Sequence, residues 1–316
     1  MATLDKPMDN KILENNYENP PLSLGQMAWR RFRRHKLAMT SVALLVLLML
    51  FIFGGALIYS EADANFNDTT RRLEPPSAEH PFGTDTIGRD ILARTIYGGQ
   101  ISILIGLTAV IVQIVVGVLI GALSGYYGGW IDSVLMRFTE AIMTIPLLFL
   151  LLVMAKFFAG KFPNITLFGR TFSGSVVVIV LIIGLSSWPR LARIVRAEFL
   201  CLKENDFILA ARATGTSNTQ IMFKHILPNT VAPIVVTATL AVAGAIISEA
   251  YISFLGLGVQ PPTATWGNMI TGATTYIEYA PWIWFFPGVL ILLTVLSINF
   301  LGDGLRDALD PRSRPE

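Results

Sequence analysis

Few side chains in this chain could do chemistry, and their spacing is the first clue to what it does. Glu249 lies in an otherwise uncharged apolar stretch. An ionisable group in such a place is a functional candidate by default. It would either line a solute path or bind an amino group, or it would be a structural carboxylate held by hydrogen bonds. Arg137 and Glu140 are spaced to pair along one helix face, as an ion pair or as a contact to a solute. The three histidines, His35, His80 and His225, are far apart, so no metal site is expected. The single cysteine, Cys201, allows no internal disulfide and reads as a small apolar residue. No glycine-rich loop ends in Lys-Ser or Lys-Thr, so no phosphate cradle is expected on this chain. No nucleophile-base constellation appears. Neither a catalytic site nor a cofactor is expected, and any ATP consumed must be hydrolysed by another chain.

The elements that position these residues are set by apolar content. Of 316 residues 53% are hydrophobic and 15% charged, where soluble domains carry about a quarter charged. Charge is absent over Leu37 to Ser60, Ile101 to Ile131, Thr171 to Pro189, Ile226 to Ser248 and Tyr279 to Gly302. A bilayer core is crossed by roughly 20 apolar residues in a helix. Helices are required because hydrocarbon offers backbone groups no partner. Strand-like alternation, the mark of a membrane barrel, is absent. The expectation is an all-α integral membrane protein with about six spans, near 37–59, 101–124, 133–158, 175–189, 229–254 and 281–301. The first follows a polar stretch of some three dozen residues and is expected to remain as an uncleaved span rather than a signal peptide.

Domain limits follow from the charge pattern. Residues 1–36 form a tail ending in a basic run from Arg30 to Lys36. Residues 37–100 hold the first span and a polar outer loop. Residues 101–305 form a five-helix domain with an inner loop at about 197–228, and 306–316 form a second tail. Gly106, Gly117, Gly121 and Gly125 have small-residue spacings suited to close helix packing. Residues 255–280, uncharged over most of their length but rich in breakers, read as a re-entrant or capping loop. With six crossings and the N-terminus inside, 17 of the 24 Lys and Arg fall on the inner side, among them Lys6, Lys11, Arg312 and Arg314. Seven fall outside: Arg71, Arg72, Arg89, Arg94, Lys156, Lys161 and Arg170. The bias puts both termini in the cytoplasm. A net charge of +2 gives no reason to expect nucleic acid.

The most informative stretch is the inner loop from Asp206 to Asn229, DFILAARATGTSNTQIMFKHILPN. Good helix formers follow an acidic first residue, Asp206. Gly215 stops that helix. Ser217 with Gln220 three residues on starts a second. Phe207, Ile208, Ala211 and Thr214 share spacings of three and four and would form one apolar face. Such a face wants a groove on a partner protein, or else lies on lipid headgroups.

The Ala210-Ala211 pair, Gly215 and Ile226-Leu227-Pro228 resemble the inner-loop signature of binding-protein-dependent ABC importer permeases. Phe82-Gly83-Thr84-Asp85-Thr86-Ile87-Gly88-Arg89-Asp90 is similar to the outer loop of the C-type permeases of oligopeptide, dipeptide and nickel importers. So are Ser124-Gly125-Tyr126-Tyr127-Gly128-Gly129-Trp130 with Asp132, Met136 and Arg137, and Ser253 to Gly258 with Pro261-Pro262 and Trp266-Gly267. Leu209 stands where the general signature often has Glu, Gln100 where a basic residue is usual, and Glu140 where Asp is expected.

This resemblance implies a type I ABC importer permease fold with a cytoplasmic coupling helix, in the inner membrane of a prokaryote. The ATPase-coupling residues would be Asp206, Phe207, Ile208, Ala210, Ala211, Arg212 and Gly215. Glu249 is the candidate for the translocation path. The partners implied are a second homologous permease, two ABC ATPase subunits and an extracytoplasmic substrate-binding protein, with membrane lipid around the spans. Di- and oligopeptides are the expected cargo, and nickel or a nickel chelate is the alternative. Two readings from other classes compete: a membrane enzyme, which would need intramembrane His, Asp or Ser at helical spacing, and a channel that works without an ATPase.

Overall fold

The computed structural model describes residues 23–167 and 170–310. The N-terminal tail up to residue 22, with Lys6 and Lys11, lies outside the described residues, as do 311–316 with Arg312 and Arg314. Helix α1 (Leu24–Arg34) is capped by a reciprocal Ser23–Gln26 box and carries arginines in its last turn. Read from composition as a plain basic lead-in, it is an amphipathic helix whose Phe32 is buried against Ala38 and Ala308. His35 then caps α2 (Lys36–Met49), which runs through irregular helical turns to Leu57.

The outer loop that follows holds the short α3 (Glu61–Asn65) and a closely tied motif at residues 82–90. Asp85 accepts from the amides of Ile87 and Arg89 and pairs with the Arg89 guanidinium at 2.6 Å. His80 Nδ1 lies 2.7 Å from Asp90, which also caps the next helix by accepting from Ala93 N. Gly88 has φ +79°, and a Cβ there would run into the Asp68 carbonyl. The loop is fastened to the last span by Phe82 stacked on Phe286 at 3.9 Å and by Trp282 Nε1 donating to Thr84 O.

Helix α4 (Ile91–Tyr127) starts ten residues before the uncharged run that revealed it. The first turns carry Arg94, which is buried beside Asp85 and donates to Ala64 O. The helix thus extends beyond its apolar window, because the outer loop supplies partners for a charge there. Gly128 (φ +66°) ends it.

The expected continuous third span is two pieces, α5 (Gly129–Met143) and α6 (Leu147–Phe158), bent by 86°. The break falls at Thr144-Ile145-Pro146. Proline has no N–H to give and disfavours helical backbone in the residue before it. Arg137 and Glu140 do pair, at 3.6 Å on an exposed face of α5. A small hairpin, β1 (Ile165–Leu167) antiparallel to β2 (Arg170–Phe172), leads into α7 (Gly174–Leu202), which passes through Pro189 unbroken.

Helix α8 (Asp206–Ala213) and the single turn α9 (Asn218–Gln220) form the inner loop. A π-type turn over Ile221–Ile226 and a 3-10 turn over Leu227–Thr230 carry the chain into α10 (Val231–Phe254). The re-entrant segment contains only short α11 (Trp266–Met269) and a further turn before α12 (Trp282–Leu309). Among the described residues five helices are long and apolar enough to cross a membrane, or six if the bent α5–α6 pair is one span.

Helices α4 and α7 share the most extensive contact. The expected small-residue spacing is the reason. A Cβ on Gly121 would sit 2.5 Å from Ala192 O, and one on Gly125 2.6 Å from Phe199 Cβ and 2.7 Å from Arg196 O. Gly117 meets Leu191, while Gly106 faces Ile246 of α10. From the opposite side Gly184 abuts Ala109 O at 2.7 Å. Backbone meets backbone along this seam, the arrangement that favours helix association where lipid supplies no hydrophobic drive. Gly121→Val is therefore expected to destabilise the fold by about 1–3 kcal/mol, the usual overpacking cost. Thermal unfolding in detergent checks this, and an unchanged midpoint would show that the seam can open without penalty.

Candidate functional site

Helix α8 is short for its isolation: eight residues outside the long spans. Helices of that length are marginal on propensity alone, so packing must hold it. Ile208 is fully buried in a cluster with Phe199, Ile221, Met222, Ile226 and Tyr126, and Ala211 packs against the same cluster. Burying one isoleucine stabilises by roughly 1.5–3 kcal/mol.

Phe207 and Leu209, on either side of Ile208, are 43% and 47% exposed; Ala210 is exposed as well. The face expected from Phe207, Ile208, Ala211 and Thr214 is thus only partly free: Ile208 is buried and Ala211 half-buried, while Phe207 and Thr214 are exposed. Ile208 and Ala211, three positions apart, anchor the helix, while Phe207, Leu209 and Ala210 are left exposed around the rest of its circumference. Asp206 is exposed in the first turn beyond the N-cap Asn205.

The stop after α8 has the form expected. Gly215 takes φ +79°, Thr216 N donates to Ala211 O and Gly215 N to Arg212 O. These are the two bonds of a Schellman turn. Ser217 Oγ then accepts from Gln220 N and starts α9. Arg212 lies over the ring of Tyr126, with 5.6 Å between guanidinium carbon and ring centre.

The spans also line an open cavity of about 1460 Å³. Its walls come from α1 (Arg31), α4 (Gln113), the α5–α6 break (Ile142 to Leu147), α7 (Ser186, Ser187, Arg190, Glu198), α10 (Thr237, Gly244, Ser248) and the end of α12 (Arg306, Asp310). Arg31 also donates to Asp310 O at 3.0 Å, joining the two ends of the described chain.

Glu249 is not among the cavity-lining residues, although its neighbour Ser248 is. Its carboxylate is fully buried and accepts from Ser253 Oγ and Thr265 Oγ1, each at 2.7 Å, and from Ser102 Oγ at 3.4 Å. Ser102 Oγ in turn accepts from Trp266 N, and Trp266 Nε1 donates to Thr95 O. A Cβ on Gly267 would lie 2.6 Å from the Cα of Ala250 and 3.1 Å from both Glu249 oxygens, which leaves no room for a side chain. The carboxylate thus straps the re-entrant segment to α4 and α10.

Two groups carry more of the site's geometry than their sequence neighbourhoods suggested. Asp132 forms a two-bond fork with Arg196, at 2.5 and 2.6 Å, and accepts from Ser124 Oγ. Tyr126 donates its hydroxyl to Asn218 Oδ1 at 2.8 Å. The only sequence signal for either was the run from Ser124 to Asp132, whose partners lie 64 and 92 residues further on.

Comparison with known proteins fits this architecture. Residues 117–315 match the family model described as binding-protein-dependent transport system inner membrane component. Residues 23–76 match the N-terminal transmembrane domain of oligopeptide transport permease C. The oligopeptide transport system permease protein OppC of Escherichia coli (strain K12) is 40% identical over 311 residues, covering 97% of this chain and 98% of the relative. The dipeptide transport system permease protein DppC of Alkalihalophilus pseudofirmus is 37% identical, covering 91% and 90%. Among solved structures, one of the inward-facing conformations of the MetNI methionine ABC transporter superposes with a TM-score of 0.52 at 21% identity, over 67% of this chain and 94% of that one. That likeness concerns the fold alone. A multi-pass membrane chain with this helix order, matched over most of its length, belongs to the family of binding-protein-dependent transport system inner membrane components, the permease subunits of ABC importers.

Proposed function

We propose that this permease forms half of a translocation pathway for di- and oligopeptides across the cytoplasmic membrane, with α8 as the helix that receives force from an ATPase. The observation that carries this reading is the division of α8: Ile208 is sealed into the fold while, among the described residues, Phe207, Leu209 and Ala210 stay substantially exposed. A helix so anchored offers a small apolar face on a stiff mount, which suits a groove on a partner protein. The 206–215 segment, with Asp206, Phe207, Ile208, Ala210, Ala211, Arg212 and Gly215, is the coupling element in this reading.

The partners are a second, homologous permease that closes the cavity, two ATPase subunits that hydrolyse ATP, and an extracytoplasmic protein that delivers cargo. Peptide cargo is supported by what the relatives are named for. Both termini face the cytoplasm, which agrees with the Lys and Arg bias of the inner segments. Alternating access needs contacts that differ between two states. Closure of the ATPase pair would draw the two coupling helices together and open the pathway outward, and hydrolysis would release them. Glu249 acts in this cycle by keeping the outer re-entrant segment fixed to α4 and α10 rather than by touching cargo.

Gly215→Val puts a β-branched residue at a left-handed position, where L side chains cost roughly 1–2 kcal/mol. Ala211→Asp sets a carboxylate against an apolar cluster. Each is expected to lower labelled-peptide uptake at least tenfold while membrane insertion, followed by fractionation, is unchanged. Uptake at the normal rate in either would count against the coupling role. A second check is direct. In a Cys201→Ser background, which removes the one native thiol, Ala210→Cys is expected to cross-link to the ATPase subunit. Exclusive cross-linking to lipid would overturn the docking assignment.

A further inference from the structure

The run Ser124 to Asp132 matches the permease pattern in sequence, yet the coupling reading gives it no task. Its geometry does. Tyr126 stands in the last turn of α4, buried in the same cluster that holds Ile208. Its ring is faced by the guanidinium of Arg212, at the end of α8, and its hydroxyl donates to Asn218, the first residue of α9. The Schellman turn lies between these two contacts, so a single side chain grips the turn before and after Gly215. Two residues earlier Ser124 bonds to Asp132, which holds Arg196 of α7 in a fork. The end of α4 is therefore locked to α5 and α7 as well.

We propose that Tyr126 is a positioning residue that passes displacement of α8 to α4, and through the glycine seam to α7. Helix α4 is the natural rod for this. Gln113 on the cavity wall is 13 residues from Tyr126 along one unbroken helix, about 20 Å at 1.5 Å per residue. Without the Tyr126 grip, α8 would still be held by Ile208, but the turn that follows it would slide against the end of α4. The inference rests on the docking role proposed for α8 and says how the docked helix reaches the cavity.

The test is a double-variant cycle in proteoliposomes holding the complete transporter, read as peptide imported per ATP hydrolysed. Tyr126→Phe keeps the ring and removes the donor; Asn218→Ala removes the acceptor. Each is expected to lower the ratio about three- to tenfold, the range that a net hydrogen bond contributes. The double variant should fall no further than either alone. Asn218→Asp keeps an acceptor oxygen and should restore the ratio. The Ala210→Cys cross-link should form in equal yield throughout, which separates a loss of transmission from a loss of docking.

A normal ratio in Tyr126→Phe, additive losses in the double variant, or failure of Asn218→Asp to rescue would each overturn the proposal. If Tyr126→Phe does not assemble, the exposed Asn218 pair of variants decides the matter. Absence of the cross-link with Tyr126 and Asn218 intact would remove the docking role itself.

Discussion

The contact on which everything else depends is the seam between α4 and α7. Two helices of 37 and 29 residues approach until a Cβ at Gly121 would overlap a facing carbonyl. In lipid there is no water to expel, so close van der Waals contact does the holding. Once this pair is fixed, the other placements follow. The lower end of α4 positions Tyr126 and Ser124, the lower end of α7 positions Arg196 and Phe199, and the inner loop grows out of α7 directly onto both.

Helix α8 then meets two demands that a freely extended loop could not meet together. In the coupling role proposed for it, it must be available to a partner and must not yield when pushed. The split between Ile208 and Phe207, neighbours in sequence and opposite in exposure, meets both with eight residues. The segment between α10 and α12 uses the same economy. One buried carboxylate, Glu249, takes bonds from α4, from its own helix and from the re-entrant segment, so a stretch full of helix breakers is tied to the spans by side chains.

The spans were legible because uncharged runs of about 20 residues admit few alternatives in a chain this apolar. Gly215 was legible for a similar reason: a glycine ending a run of helix formers has one common use. The break at Pro146 was not seen, because the apolar run continues across it and hydropathy is indifferent to a missing N–H. The early start of α4 escaped notice because Arg94 reads as polar until Asp85 and Ala64 O are found beside it. How much of α8 stays exposed was not legible, because spacings of three and four define a stripe without saying which part of it the fold will cover. Tyr126 and Asp132 stood in a recognised run, but their roles live in contacts with residues 92 and 64 positions away, and no local pattern encodes those.

The π-type turn over Ile221–Ile226 carries a consequence for α10. Such a turn closes its bonds one residue later than an α turn, and one residue amounts to about 100° of helical rotation. The length of this turn therefore sets the azimuth of all that follows in α10. With it, Ser248 looks into the cavity while Glu249 is packed against α4 and the re-entrant segment. Were the same residues wound as plain α-helix, all of α10 would be turned by about 100°, and Ser248 rather than Glu249 would face α4 and the re-entrant segment. A local irregularity in winding thus acts as the phase setting for a membrane helix whose two faces have different duties.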